Sequence, residues 1–177
     1  EMTVRATRVA GGYHIRGVKH FISNAGEADF IVVYAKTNMA AGARGISSFV
    51  VEPAKGGVRA APPERTMGLK GGHVFEIDLD VVVPEENRLG PEGRGFRTAL
   101  AVLDAGRVEI AACALGIAQA AFSHAVAWAK ERRVGGAPIA DLQGIQWMIA
   151  DIEVDLAAAR ALGLAAAAKR EAGERFT

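Results

Sequence analysis

Cysteine is almost missing from this sequence: Cys113 is the one thiol among 177 residues. A single cysteine cannot close an intramolecular disulfide or furnish a CxxC metal cage. An excess of either charge is missing too, because 21 Lys and Arg meet 20 Asp and Glu for a formal charge of +1. That balance gives no broad basic footprint for nucleic acid. Long uncharged runs are also missing. The two most apolar stretches, residues 99–129 and 145–168, are interrupted by Asp104, Arg107 and Glu109 in the first and by Asp151, Glu153, Asp155 and Arg160 in the second. They read as helices of a bundle rather than membrane spans. What is present is a chain half hydrophobic and 23% charged, which buries a sizeable core and excludes wholesale disorder. Its length suits one domain or two small ones. It opens on Glu1 instead of Met, as a piece cut from something longer would.

The hydrophobic period changes near Pro84. Before it, residues 3–9 alternate, Gly11-Gly12 offers a tight turn and residues 13–16 resume the alternation, which is a hairpin pattern. Residues 30–35 and 46–51 are short apolar runs. In residues 74–83, Glu76, Asp78 and Asp80 alternate with Phe75, Ile77, Leu79 and Val81, so one face is wet and the other buried. After Pro84, residues 96–133 contain no proline and fit a helix of about ten turns. Leu100, Leu103, Arg107, Ile110, Ala114 and Ile117 step along it by three or four. Gly135-Gly136-Ala137-Pro138 breaks the pattern, Asp141 offers an N-cap, and Ile145, Met148, Ile149, Ile152, Leu156 and Leu162 mark one face of a second long helix. The expected fold class is α+β: an antiparallel β-barrel-like domain over residues 1–90, then two long antiparallel helices of an incomplete four-helix bundle over residues 91–177, the helices at 96–133 and 141–173. Two Ala-rich helices cannot cover their own apolar surface, so self-association is expected.

Spacing alone supplies little chemistry. His14, His20, His73 and His124 form no i, i+4 pair with an acidic partner, so no metal site is expected. Cys113 sits in an Ala-rich helix and reads as a small buried hydrophobe. No GxSxG elbow exists. Gly68-Leu69-Lys70-Gly71-Gly72 is Gly-rich and basic but precedes a strand, so it reads as a turn.

Longer patterns carry more. Gly17-Val18-Lys19-His20-Phe21-Ile22-Ser23-Asn24-Ala25-Gly26-Glu27-Ala28-Asp29 resembles the flavin-facing strand of the acyl-CoA dehydrogenase family. Met67-Gly68-Leu69-Lys70, Val83-Pro84-Glu85-Glu86-Asn87-Arg88-Leu89-Gly90, Gly93-Arg94-Gly95-Phe96, Leu103-Asp104-Ala105-Gly106-Arg107 and Gly116-Ile117-Ala118-Gln119 resemble its later signatures. Glu131-Arg132-Arg133, Gly136-Ala137-Pro138-Ile139 and Leu142-Gln143 follow in the family's order. The resemblance implies the middle β domain plus the first two helices of the C-terminal domain. It implies α,β-dehydrogenation of an acyl-CoA thioester with FAD as cofactor, a homo-oligomer (dimer or tetramer), electron-transfer flavoprotein as electron acceptor and a cytoplasmic location. A flavin oxidase or monooxygenase on the same fold, or a non-catalytic assembly module, are the alternatives.

The resemblance also assigns roles. Phe21 matches the aromatic against the flavin ring, Ile22 supplies backbone contacts and Ser23 the hydroxyl beside the ring. For Phe21 and Ile22 the other reading is ordinary strand core. Arg132 and Gln143 match FAD contacts made across a subunit interface, although the family Phe that follows the first of them is Gly135 here. Asp104 and Arg107 match the acyl-CoA site. Arg107 lies between Leu103 and Ile110, where a buried guanidinium needs a partner, and an Asp104–Arg107 pair at i, i+3 is the structural alternative. No catalytic base is assigned. Gly106 stands where a minority of the family carries one, the majority position is expected beyond Thr177, and Glu109 is about 200° around the helix from Arg107.

Overall fold

A computed structural model describes residues 2–176. They fall into two compact units, residues 2–100 and 101–176. The first unit is built on a sheet of β1 (Arg5–Val9), β2 (Gly12–Ser23), β3 (Ile31–Lys36), β4 (Ile46–Val51), β5 (Val58–Ala60), β6 (Val74–Pro84) and β7 (Arg88–Leu89). Their order in the sheet is β5-β6-β2-β1-β3-β4-β7. The expected hairpin of β1 and β2 forms with Val9 opposite Gly12. Gly12 is required there, because a Cβ would stand 2.0 Å from the Val83 carbonyl oxygen.

Two features of the expected barrel are corrected. The sheet is open, with β5 and β7 as its edges, and one pair is parallel: β1 meets β3 at Arg5 and Lys36. The reason is topological. β2 is flanked by β1 and β6, so the chain leaving β2 adds its next strand on the far side of β1, running in the same direction. Lys36 N–H donates to the Val4 carbonyl at 2.9 Å to fix that seam. The core lies on one face of the sheet. Tyr13, Ile15, Val33, Phe49, Val51, Ile77 and Leu79 are each at most 1% exposed. Phe75, Ile77, Leu79, Val81 and Val83 point inward from β6 while Val82 and Asp80 stay exposed, as the alternation requires.

A polar knot ties the first hairpin to the segment that leads into the helices. Arg8 Nη1 reaches Glu85 at 2.9 Å, and Arg8 Nη2 reaches Glu92 at 2.8 Å and the Tyr13 hydroxyl at 2.6 Å. Tyr13 Oη donates to Glu92 at 2.8 Å, and its ring packs 4.9 Å from Phe49. Next to it the Gly93 N–H donates to Ser47 Oγ at 2.9 Å, and Ser47 shares a hydrogen bond with Thr37.

The second unit contains most of α1 (Gly95–Glu131), the small hairpin of β8 (Arg133–Val134) and β9 (Ala137–Pro138), and α2 (Gln143–Glu171). Asp141 does not cap α2. It lies in a 3-10 turn, and Leu142 takes the extended cap position without a side-chain bond. The helices run antiparallel: Arg160 donates to Gln119 at 2.8 Å and Arg170 to Glu109 at 3.2 Å. The inward face of α1 is Leu115, Gln119, Phe122, Val126 and Ala129, spaced 4-3-4-3, and α2 answers with Ile145, Ile149 and Leu156. The stripe expected on α1 is a different one, and its Leu100, Leu103, Ile110 and Ile117 are 45–72% exposed. α1 is apolar nearly all round, so periodicity alone does not choose a face. By length and composition it even passes for a membrane-crossing helix, with an 18-residue window of mean hydropathy 1.6. Cys113 is exposed rather than buried, because it too lies off the 4-3-4-3 face.

Candidate functional site

The end of β2 departs from regular strand. Lys19 is opposite Ile77 on β6, yet Ile22 is opposite Phe75. Three steps on one strand match two on the other, so β2 carries one extra residue, a β-bulge. Phe21 within it has φ 58°. A non-glycine residue in this left-handed region is uncommon, costs about 1–3 kcal/mol, and is found preferentially at functional sites. The result is an aromatic ring 75% exposed at the end of a central strand. Ile22 turns inward and packs against the core, while Ser23 is exposed and register-paired with Val74.

The next residues fasten the bulge. Asn24, also at positive φ (56°), donates its N–H to the His73 carbonyl at 2.8 Å, and Glu27 N–H closes the turn on the Asn24 carbonyl at 3.0 Å. Glu27 and His73 meet at 2.6 Å. Gly26 lies so close to Phe75 that a Cβ would stand 2.6 Å from its ring. Lys19 enters the bulge from the inner side of β2, where burial pushes its ammonium below the usual lysine value. The sequence shows the residues of this turn but not the bulge, because no glycine marks the left-handed position that Phe21 occupies.

In the second unit the expected residues separate into two groups. Arg132 and Gln143 flank the β8–β9 connection at one end of the helix hairpin. Both are exposed. The Arg132 carbonyl accepts from Ile139 N–H at 2.8 Å, which fixes the turn beneath it. Arg107 and Asp104 lie about 36 and 41 Å away along α1, at 1.5 Å per residue. Arg107 is exposed, not buried, and so are its neighbours Leu103 and Ile110, at 57% and 69%. Among the described residues no Asp104–Arg107 ion pair forms. An i, i+3 spacing permits such a pair without enforcing it, and water competes at an open face. Glu109 is engaged by Arg170 at 3.2 Å. Among the described residues no cluster of three or more His, Cys, Asp or Glu side chains gathers.

Known proteins resemble this chain along nearly its whole length. The family models for the acyl-CoA dehydrogenase middle domain and C-terminal domain match residues 1–82 and 93–177. The short-chain specific acyl-CoA dehydrogenase of Megasphaera elsdenii is 39% identical over 178 residues, covering 100% of this chain and 46% of that protein. The solved butyryl-CoA dehydrogenase of Megasphaera elsdenii superposes with a TM-score of 0.95 at 39% identity, over 99% of this chain and 46% of that one. PigA, solved with FAD and proline, superposes with a TM-score of 0.95 at 28% identity, again over 99% and 46%. The chain belongs to the acyl-CoA dehydrogenase family. It spans about half the length of the relatives it matches.

Proposed function

We propose that this chain is the part of an FAD-dependent acyl-CoA dehydrogenase that presents one wall of the flavin site and one wall of the acyl-CoA site. The observation that carries the reading is Phe21, an aromatic ring held exposed by a bulge at unfavourable φ. Strand core would have turned that ring inward without strain. A flat apolar face beside the exposed Ser23 suits an isoalloxazine ring, which offers a π surface and hydrogen-bonding edges. The chemistry supplied by bound FAD is acceptance of hydride from the β carbon of the thioester.

This chain's own residues bind and orient. Phe21 would give the ring a stacking surface, the Ser23 hydroxyl would hydrogen-bond its edge, and Ile22 locks the backbone by burying its side chain. Arg132 offers a guanidinium fork suited to a diphosphate, and Gln143 stands at the same turn to bond a neighbouring polar group. Their distance from Asp104 and Arg107 suits two different ligands, the cofactor at one end of the hairpin and the thioester at the other. A carboxylate must take the α proton, and among the described residues of this chain none is placed for it. Gly106 has no side chain, and Glu109 is held by Arg170. The assembly acts as a homo-oligomer and passes electrons to an electron-transfer flavoprotein.

Flavin titration tests the reading. FAD should bind this chain with a perturbed visible spectrum, and Phe21→Ala should weaken binding at least tenfold. FAD binding of equal strength in Phe21→Ala would overturn it. Anaerobic addition of short- and medium-chain acyl-CoA to the flavin-loaded chain should leave the flavin unbleached, because a general base typically contributes 10²–10⁴-fold. Rapid bleaching would place a base inside residues 1–177, with Glu109→Gln the first variant to make.

A further inference from the structure

The outer face of the sheet carries a rung of charge that the acyl-CoA reading leaves unused. Asp80 on β6, Arg16 on β2, Arg5 on β1 and Lys36 on β3 are successive register partners. Each alternates with a core residue (Val81, Ile15, Ala6 and Ala35 are buried), so all four side chains project from the opposite face. Arg5 and Arg16 therefore face each other on adjacent strands about 4.8 Å apart. Like charges directly opposite each other destabilise a sheet, so this arrangement costs stability unless something anionic lies over it.

The carboxylates nearby are already engaged. Asp80 Oδ1 lies 2.6 Å from His14 Nε2 and 3.5 Å from Arg16 Nε, and contact with His14 holds its carboxyl below the usual range. Asp78 is taken by Arg59 at 2.6 Å. Arg16 uses only its Nε, which leaves both terminal amino groups for another partner. Among the described residues no carboxylate comes within ion-pair distance of Arg5. Beside this rung is a groove of about 370 Å³ to which Thr3, Arg5, Arg16 and Arg59 contribute, with Asp78 and Asp80 along its acidic wall.

We propose that this groove binds a phosphate dianion, free or at the end of a larger ligand, gripped by the guanidinium groups of Arg5 and Arg16 and by the Thr3 hydroxyl. Two planar forks and a hydroxyl match a tetrahedral anion with three free oxygens better than a single carboxylate. The groove is concave, which suits a small ligand, whereas a protein partner needs a broader face. The site is independent of the flavin reading, since none of its residues belongs to the bulge or to the helices.

The test is titration of the 177-residue chain with inorganic phosphate and, at matched ionic strength, with acetate. Saturable phosphate binding is expected, with little response to acetate. Arg5→Gln and Arg16→Gln should each weaken it tenfold or more, while Lys55→Gln, a surface lysine on a different segment, should not change it. Without phosphate, Arg5→Gln should melt at the same or a higher temperature than wild type, since like-charge repulsion is relieved. Phosphate should raise the melting temperature of wild type and not of Arg5→Gln. Adenosine 3′-phosphate binding tighter than phosphate identifies a carried phosphate, and weaker binding a free one. Phosphate no better than acetate, or full phosphate binding in Arg5→Gln, would overturn the proposal.

Discussion

The two units contrast in what they bury. The β unit closes a core of its own, with Tyr13, Ile15, Phe49 and Ile77 at 0–1% exposure, whereas among the described residues the helical unit buries only Ala129 and Leu156 of its apolar side chains. Trp128, Trp147, Met148 and Val154 stay at least 60% exposed on the helices. Hydrophobic residues thus do different work in each. A sheet that curls over one face encloses its apolar side chains by itself, while two helices touch along a single seam and leave the rest of their circumference open.

The contrast breaks most sharply under truncation of large side chains. Phe49→Ala should cost about 3–5 kcal/mol, because a fully enclosed ring leaves a cavity its neighbours cannot fill. Ile117→Ala on α1, 72% exposed, should stay within about 0.5 kcal/mol, since it removes little buried area and replaces a β-branched residue by the best helix former. Chemical denaturation of both variants checks the pair. Equal losses would show that the helical face is covered in solution.

The same difference decides what could be read in advance. In the β unit the alternation of residues 74–83 is unambiguous, and the buried and exposed residues fall where it places them. In the helices the lengths are legible from the missing proline, but the packed face is not. Leu103, Ile110 and Ile117 satisfy helical spacing as well as Leu115, Phe122 and Val126 do, and nothing in one chain's periodicity ranks them. The burial inferred for Arg107 fails for that reason. At the site, the residue types around Phe21 are legible through the family pattern, while the bulge is not: it depends on β6 being one residue short opposite β2, a property of pairing rather than of either strand. The parallel contact of β1 with β3 is likewise set by which sheet edge remains free.

The next largest effect belongs to the polar knot of the β unit. Tyr13→Phe should cost about 1.5–3 kcal/mol, because a buried hydroxyl that donates to the Glu92 carboxylate and accepts from Arg8 is lost. The Arg8 guanidinium, with Tyr13 second, holds the Glu92 carboxyl below the usual glutamate range. A carboxyl depressed in the folded state contributes stability that is present above its unfolded value, near 4.5, and is lost as pH falls through the lower folded value. Melting scans from pH 6 to pH 3 should therefore show a steeper acid decline in wild type than in Glu92→Gln. Parallel curves would remove Glu92 from the account. Because Glu92 and its partners belong to the β unit, this loss should appear in β-sheet signals.

A smaller effect, of opposite sign, is expected at the bulge. Phe21→Gly should stabilise the ligand-free chain by about 1 kcal/mol, because glycine takes φ 58° without the strain a Cβ imposes. The same change should weaken FAD binding by removing the stacking surface. Opposite movement of melting temperature and flavin affinity is the signature of a residue retained for a ligand. If both fell together, Phe21 would be a structural ring after all, and the strain at its backbone would need another explanation.

The smallest effect tests the helical side of the comparison. Arg107→Gln should change the stability of the chain by less than about 0.5 kcal/mol, since the guanidinium is exposed and no ion pair to Asp104 forms among the described residues. A side chain that contributes nothing to the fold can still contribute to a ligand, so the informative measurement is acyl-CoA affinity at constant stability. The thioester carries an anionic CoA moiety. If Arg107 lines the proposed acyl-CoA site, loss of its charge should weaken binding several-fold, more at low ionic strength than at high. Asp104→Asn at the same wall should strengthen binding or leave it unchanged, because it removes a repelling charge. Equal weakening by both variants would mean that Asp104 and Arg107 act together, as a pair that forms only when ligand is present. A double-variant cycle separates these outcomes: additive losses mean independent contacts, and a coupling above about 0.5 kcal/mol means a ligand-assembled pair.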